Sequence, residues 1–238
     1  MKPLGGRAYG SIPHLPGSRR GPGDHGLTET QAAAFLSIPR RGWTVVVQEK
    51  LDGSNVCAVH HNGQILALTR AGYLAETSPF AQHHAWAKFV VDHEDRFRAL
   101  LAPGERACGE WLMVAHGTRY DLPHEPWVLF DIRVGHGRES SAEVMRRAAQ
   151  VDMVTPRELH RGGPMDIADA IALLDDPDGR RVHRAIDSPE GCVWRVERDG
   201  ESPMLAKYVR PEKQDGCYLS SVTGDGDVIN TWVDGWAP

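Results

Sequence analysis

The chain changes character at Trp43. Before it, residues 1–30 are rich in glycine and proline and show little periodicity, and residues 1–40 together are expected to form an irregular N-terminal arm. After it, apolar and polar positions fall into short segments of recognisable period. WTVVVQEK and SNVCAVHH have the β-branched, alternating character of strands, Asn62-Gly63 is a type I′ hairpin signal, and QILALTR is the returning strand. Residues 43–70 are therefore expected to form a β-meander. SPFAQHHAWAKFVVDHEDRFRALL repeats its apolar residues at helical spacing, with Ser78 as the predicted N-cap and Pro79 in the first helical position, and predicts one long helix.

ERACGEWLMVAH and PWVLFDIRV predict two further strands on either side of the turn-rich GTRYDLPHE. SSAEVMRRAAQV and DIADAIALLDD predict short helices, and EGCVWRVER with PMLAKYVR predicts a hairpin around DGES. Strands outnumber helices and do not alternate with them as βαβ units. The pattern predicts an α+β fold with antiparallel sheets, in a single domain over residues 1–238. There is no internal repeat, low-complexity tract or glycine-rich P-loop.

Composition narrows the class. The apolar share of 41% in 238 residues is enough to fill a sizeable core. No apolar run approaches the ~18 residues of a membrane span, and the N-terminus lacks the apolar centre of a secretory signal, so a soluble cytoplasmic protein with no membrane partner is expected. Cys57, Cys108, Cys192 and Cys217 are widely spaced with no C-x-x-C pair, which predicts reduced thiols and neither a zinc site nor a disulfide framework. A net charge of -5 excludes coating of nucleic acid by bulk electrostatics and leaves room only for a local basic groove. Its candidates are Arg19 with Arg20, Arg40 with Arg41, the Arg180, Arg181, Arg184 group, and Lys207 with Arg210 and Lys213; each cluster taken alone is read more readily as a solvated face. His60, His61, His83 and His84 occur as adjacent pairs, whose side chains diverge on a strand or a helix, which argues against a metal site. Trp232 and Trp236 are expected to cover a sheet edge.

Lys50 ends an apolar strand and is followed by Asp52, Gly53 and Asn55. Taken alone, this Lys-x-Asp-Gly-x-Asn stretch fits a polar turn with a solvated lysine, or an amine that desolvation and a neighbouring cation make nucleophilic. Asp52 and Gly53 would let the backbone turn sharply near a ligand, with Asn55 returning to the same side. Glu110 follows Gly109 in an otherwise apolar strand, where a carboxylate needs a partner. Arg70 fits an exposed strand end as well as a phosphate contact, and Phe130 fits plain core as well as a stacking ring.

Six short stretches, in order, resemble the motifs of the covalent nucleotidyltransferase superfamily of polynucleotide ligases and messenger-RNA capping enzymes. They are EKLDGSN at 49–55, TRAGY at 69–73, CGEWL at 108–112, LFDI at 129–132, EGCVWR at 190–195 and LAKYVR at 205–210. Their wording is most similar to the ATP-dependent RNA ligases. The resemblance implies an antiparallel-sheet, ATP-grasp-like ligase adenylation domain, with ATP and Mg²⁺ or Mn²⁺ as cofactors. It implies that Lys50 attacks the α-phosphorus of ATP, with Asp52 and Gly53 in the same motif and Lys207 as a second cation that keeps Lys50 deprotonated and stabilises phosphate charge. It further implies that Glu49 reads the adenine edge, Asn55 and Arg70 hold nucleotide or phosphate, Glu110 accepts from ribose hydroxyls, Phe130 stacks on adenine and Glu190 binds the metal. The family's motif around Lys207 commonly carries two lysines; here Arg210 is the candidate for the second. The segment after Arg210 is too short for an OB fold, which favours RNA ligases over DNA ligases and capping enzymes. The implied partner is RNA with 5′-phosphate and 3′-hydroxyl ends. An adenylyltransferase of a small molecule or protein, a DNA-joining ligase and a catalytically idle RNA-binding module are the alternatives.

Overall fold

In the computed structural model, which describes residues 2–233 and 236–238 and leaves out the side chains of Arg180 and Arg181, the strands segregate into two main antiparallel sheets. One has four strands in the order β10 (Met204–Val209), β9 (Gly191–Arg198), β1 (Trp43–Lys50), β8 (Glu158–Gly162). The other has five, in the order β3 (Gln64–Thr69), β2 (Ser54–His61), β4 (Glu105–Trp111), β6 (Trp127–Val134), β7 (Gly137–Arg138). A small parallel pair joins β5 (Asp121–Leu122) to β11 (Thr231–Trp232). The mixed helix and antiparallel-sheet architecture agrees with the α+β reading.

The expected meander is only half present. β2 and β3 form the hairpin, and Asn62 and Gly63 both have positive φ (50° and 79°), as a type I′ turn requires. β1, however, does not pair with β2. Its partners are β9 and β8, which lie more than a hundred residues further along the chain. Leu51, Asp52 and Gly53 therefore carry the chain from one sheet to the other. Gly53 is needed there for packing, since a Cβ at this position would lie 2.5 Å from the Trp111 carbonyl oxygen. Its close approach in the structure is to the Trp111 backbone, and it also lines the cavity between the sheets.

Helix packing explains the second difference. The apolar stretch expected to form one helix is two: α2 (Ala81–Asp92), which starts after Phe80 rather than Ser78, and α3 (Glu94–Leu100). They break at His93, whose Nδ1 is hydrogen-bonded to the Phe89 carbonyl. The break lets Trp86, Phe89 and Phe97 all turn onto Trp111 and Trp127 of the five-stranded sheet, with ring centroids 5.2–5.9 Å apart for Trp86 and its neighbours in this cluster. Each such pair adds about 0.5–1.5 kcal/mol beyond area burial. Trp236 packs on Phe89 and Trp111 and so extends this core, whereas Trp232 lies in β11 and packs on the separate cluster around Leu112, Tyr120 and Leu122.

α4 (Ser141–Gln150) and α5 (Ile167–Leu174) match the two short predicted helices, capped by Ser140 and Asp166. α5 packs on the four-stranded sheet with α1 (Glu29–Leu36), a helix inside the stretch expected to be irregular. Its start carries a capping box, Thr28 with Gln31, that is legible in the sequence. The rest of the arm is strapped down. The Ala8 and Tyr9 N–H groups donate to the Arg70 carbonyl, and Leu15 N–H donates to that of Lys207. α6 (Ser220–Thr223) lies after β10. Cys57, Cys108 and Cys192 are buried free thiols, and Cys217 is free and half-buried. No helix among the described residues is long and apolar enough to cross a membrane.

Candidate active site

Where the two sheets part at residues 51–53, a cavity of about 790 Å³ opens between them. The four-stranded sheet supplies one wall. Strand pairing aligns Gln48, Val193 and Lys207 in a row across β1, β9 and β10, and sets Lys50 opposite Gly191. The five-stranded sheet supplies the other wall, with Asn55 directly opposite Glu110 on β2 and β4. Glu49, Lys50, Gly53, Asn55 and Arg70 line this space, as do Glu110, Phe130 and Lys207.

Two local devices set the second wall. At Cys108 and Gly109 the β4–β6 register shifts, with Cys108 opposite Asp131 and Gly109 opposite Leu129, so that Phe130 is the extra residue of a β-bulge. The Tyr9 ring meets it edge-on at 5.2 Å, and the Tyr9 hydroxyl donates to Asp131. Gly109 permits the strand to come this close, because a Cβ there would lie 2.4 Å from Trp127 Nε1 and 2.5 Å from the Val128 oxygen. The chain thereby holds Glu110 with its Oε1 accepting from Gly53 N–H at 3.1 Å. Glu110 thus has a backbone partner before any ligand arrives. Beside it, the Asn55 Oδ1 is buried with no hydrogen-bond partner among the described residues, a group that a ligand donor would satisfy.

The electrostatics centre on Lys50. Its Nζ forms an ion pair with Glu190 and donates to the Leu51 carbonyl at 3.3 Å. Burial alone would lower the Lys50 pKa, but the Glu190, Glu110 and Asp52 carboxylates outweigh burial and hold it above its ordinary value. In this state Lys207 does not keep Lys50 deprotonated, contrary to expectation, because three carboxylates act against one ammonium. Lys207 itself is held below its ordinary value, first by burial and then by Lys50. Burial pushes Glu110 and Glu190 each up to about 7 against the pull of Lys50.

Other expected residues lie elsewhere. Arg210 does not reach the cavity. Its Nη2 donates to Asp175 just after α5 at 2.7 Å, so it is a poor stand-in for a second lysine. The Asp52 carboxylate accepts from Gly117 N–H (2.9 Å) and Thr118 Oγ1 (3.2 Å), which ties the crossover to the loop after β4; it acts on Lys50 through its charge rather than by lining the cavity. The basic clusters are likewise dispersed: Arg19 pairs with Asp215 at 2.6 Å, Arg184 lies 3.8 Å from Asp121, and Lys213 donates to the Gly117 carbonyl at 2.7 Å. Arg40 and Arg41 precede the far end of β1, and at about 3.3 Å per residue Arg41 lies roughly 30 Å from Lys50. The Arg180 and Arg181 side chains lie outside the described residues. Tyr9 and His116, which also line the cavity, carried no signal beyond an isolated aromatic residue in a glycine-rich arm and a histidine before a turn.

The RNA ligase family model matches residues 44–209, which takes in Lys50, Glu110, Phe130, Glu190 and Lys207. No curated protein sequence matches the chain. Among solved structures it is similar to a putative ATP-dependent DNA ligase from Aquifex aeolicus, with a TM-score of 0.50 and 18% identity over 85% of this chain and 49% of that one. It is also similar to an archaeal ATP-dependent RNA ligase (TM-score 0.44, 20% identity, 69% of this chain and 42% of that one). A third is a Naegleria gruberi RNA ligase mutant with AMP and Mn (TM-score 0.48, 18% identity, 71% and 50%). The chain spans half or less of the length of these three structures, and the likeness is one of fold.

Proposed function

The chain belongs to the RNA ligase family, and we propose that it is an ATP-dependent RNA ligase that works through a covalent lysyl-AMP intermediate on Lys50. The observation that carries the reading is the convergence of Lys50, Lys207, Glu110, Phe130 and Arg70 on one cavity from two different sheets. In the first step the neutral Lys50 amine attacks the α-phosphorus of ATP, a P–N bond forms and pyrophosphate leaves. AMP then passes to the 5′-phosphate of an RNA end, and a 3′-hydroxyl attacks that phosphate, joining the strands and releasing AMP. Covalent catalysis of this kind divides one difficult displacement into easier ones.

The remaining residues take roles that their surroundings allow. Phe130, braced by Tyr9, offers a ring to the adenine; Asn55 and Glu110 face the ribose; Glu49 is placed for the base edge. Lys207 meets the charge that develops on the α-phosphate, and Arg70 holds a phosphate at the rim. Lys50 must give up its ion pair with Glu190 before it can lose its proton.

Among the described residues, no group of three or more His, Cys, Asp or Glu side chains is placed to hold a metal unaided. Mg²⁺ binds nucleotides through one or two carboxylates and completes its shell with phosphate oxygens and water. Glu190, a hard oxygen donor next to Lys50, is the residue that fits, and Mg²⁺ or Mn²⁺ there would neutralise phosphate charge. To test the function, the protein is incubated with ATP, Mg²⁺ and 5′-phosphorylated RNA or DNA, as single strands and as nicked duplexes, in parallel. Sealing that requires ribose at the attacking end supports the reading. Equal sealing of an all-DNA nick would make the protein a DNA-joining ligase, and self-adenylylation with no transfer to any polynucleotide would make it an adenylyltransferase of another substrate.

A further inference from the structure

The cavity has two aromatic stations. The inner one is Phe130, half-buried and braced by Tyr9. The outer one is Tyr73 and Phe80, which line the same cavity yet are 48% and 59% exposed. Among the described residues these are the two exposed phenylalanine, tyrosine or tryptophan rings, in a chain that fully buries Trp86, Trp111, Trp127 and Trp194. The backbone around them anchors both rings, and the Lys2 ammonium stands over one face of Tyr73, 4.6 Å from the ring centroid. Thr69 N–H donates to the Tyr73 carbonyl at 2.9 Å and closes the turn that carries Arg70, and Phe80 N–H donates to Ser78 Oγ at 3.3 Å. His83 meets the Phe80 ring edge-on at 5.7 Å.

Arg70 lies in the same rim, exposed, its guanidinium donating to Ser11 Oγ at 3.2 Å. An open pair of rings beside a cation is the chemistry that captures unpaired bases and their phosphates. The cavity's volume of about 790 Å³ stands in the upper part of the ~300–1,000 Å³ range of ligand clefts. A 5′-phosphate that reaches the AMP on Lys50 past Arg70 leaves its own base outward, at the rim.

We infer that Tyr73 and Phe80 form a stacking platform for the terminal base of the 5′-phosphorylated strand, so that the protein engages an unpaired RNA end rather than one stacked within continuous duplex. The inference rests on the RNA ligase reading and adds to it the form of the substrate. A base inside continuous duplex has both faces covered by its neighbours and offers none to these rings.

The test measures binding of a fluorescent, 5′-phosphorylated single-stranded oligoribonucleotide, and of the same strand with an abasic 5′-terminal nucleotide, to the full chain. Replacing both rings (Tyr73→Leu with Phe80→Leu) should weaken binding of the intact strand about 5- to 150-fold. Self-adenylylation and the salt dependence of binding should stay unchanged, because no phosphate contact is removed. The abasic end should weaken wild-type binding by a similar factor and leave the leucine variant no weaker still, and Tyr73→Trp with Phe80→Trp should restore affinity. Equal wild-type affinity for intact and abasic ends overturns the inference whether or not the variants fold, and so does tighter binding of a nicked duplex than of the single strand. A wild-type protein that self-adenylylates but binds no polynucleotide brings down the RNA ligase reading and this inference together, a pattern distinct from the other two.

Discussion

Glu190→Gln should flatten the pH dependence of the protein's stability. Burial raises the Glu190 carboxyl from 4.5 in an accessible chain to about 7 in the fold. A raised acid pKa means that the folded protein holds the proton more tightly than the unfolded chain. The stability this provides is fully present below pH 4.5 and is lost as pH rises through about 7. The rise corresponds to about 3 kcal/mol, a large share of the ~5–15 kcal/mol by which a domain is stable. Lys50 is raised as well, but the stability tied to its protonated form is intact at every pH below its ordinary value of 10.5 and does not contribute to this window. Glu110 titrates over the same range and remains in the variant, so the slope should shrink rather than vanish. Urea denaturation at pH 5 and pH 8 is the assay. The wild type should lose about 3 kcal/mol more than Glu190→Gln between the two, roughly 1–3 M in midpoint at typical m-values. At pH 5 the carboxyl is largely protonated, so the ion pair with Lys50 belongs to the ionised form present at pH 8 and is already contained in the position of this pKa. Parallel pH profiles for the two proteins would refute the reasoning.

Three other outcomes follow from the same geometry. Lys207→Ala should slow self-adenylylation on the order of 10²-fold, the usual effect of losing one donor aimed at developing charge, with the denaturation midpoint little changed; a rate within a few-fold of wild type would remove Lys207 from the phosphate site. Arg210→Ala breaks the contact with Asp175 outside the cavity, so calorimetry should show a lower melting temperature while the KM for ATP stays put, and a raised KM with unchanged stability would return Arg210 to the site. Of the cations that line the cavity, Lys50 is the proposed carrier of AMP and Arg195 is buried against Glu197 and the Glu139 carbonyl, which leaves Arg70 and Lys207 for the strand; single-stranded RNA affinity should therefore fall with log salt at a shallow slope of about -1 to -2, and a slope several times steeper would mean that distant clusters such as Arg40 and Arg41 also bind the strand.

The residues of the site were legible where chemistry interrupts a short apolar run. Lys50, Glu110 and Lys207 are charges at the end of, or inside, strands built around buried apolar residues, and each lines the cavity. What a strand pairs with is a different matter. β1 and β2 are separated by only three residues and read locally as neighbours, yet β1 finds its partners in β8 and β9, because contacts so distant in sequence leave no local pattern. The same holds for Arg210. Its place after Lys207 suggested a phosphate contact, and only the position of α5 reveals the Asp175 that neutralises it. The break at His93 arises from five aromatic rings competing for one pocket, which helical periodicity does not register. The bulge at Phe130 follows from Gly109, and a glycine in a strand does hint at such a close approach.

The central claim is that Lys50 is a nucleophile that carries AMP. Protein incubated with ATP and Mg²⁺, then digested and analysed by mass spectrometry, should show one adenylyl group on the peptide containing Lys50, and Lys50→Ala, folded by circular dichroism, should show none. Adenylylation that persists in Lys50→Ala, or that falls on another residue of the wild type, would contradict the account.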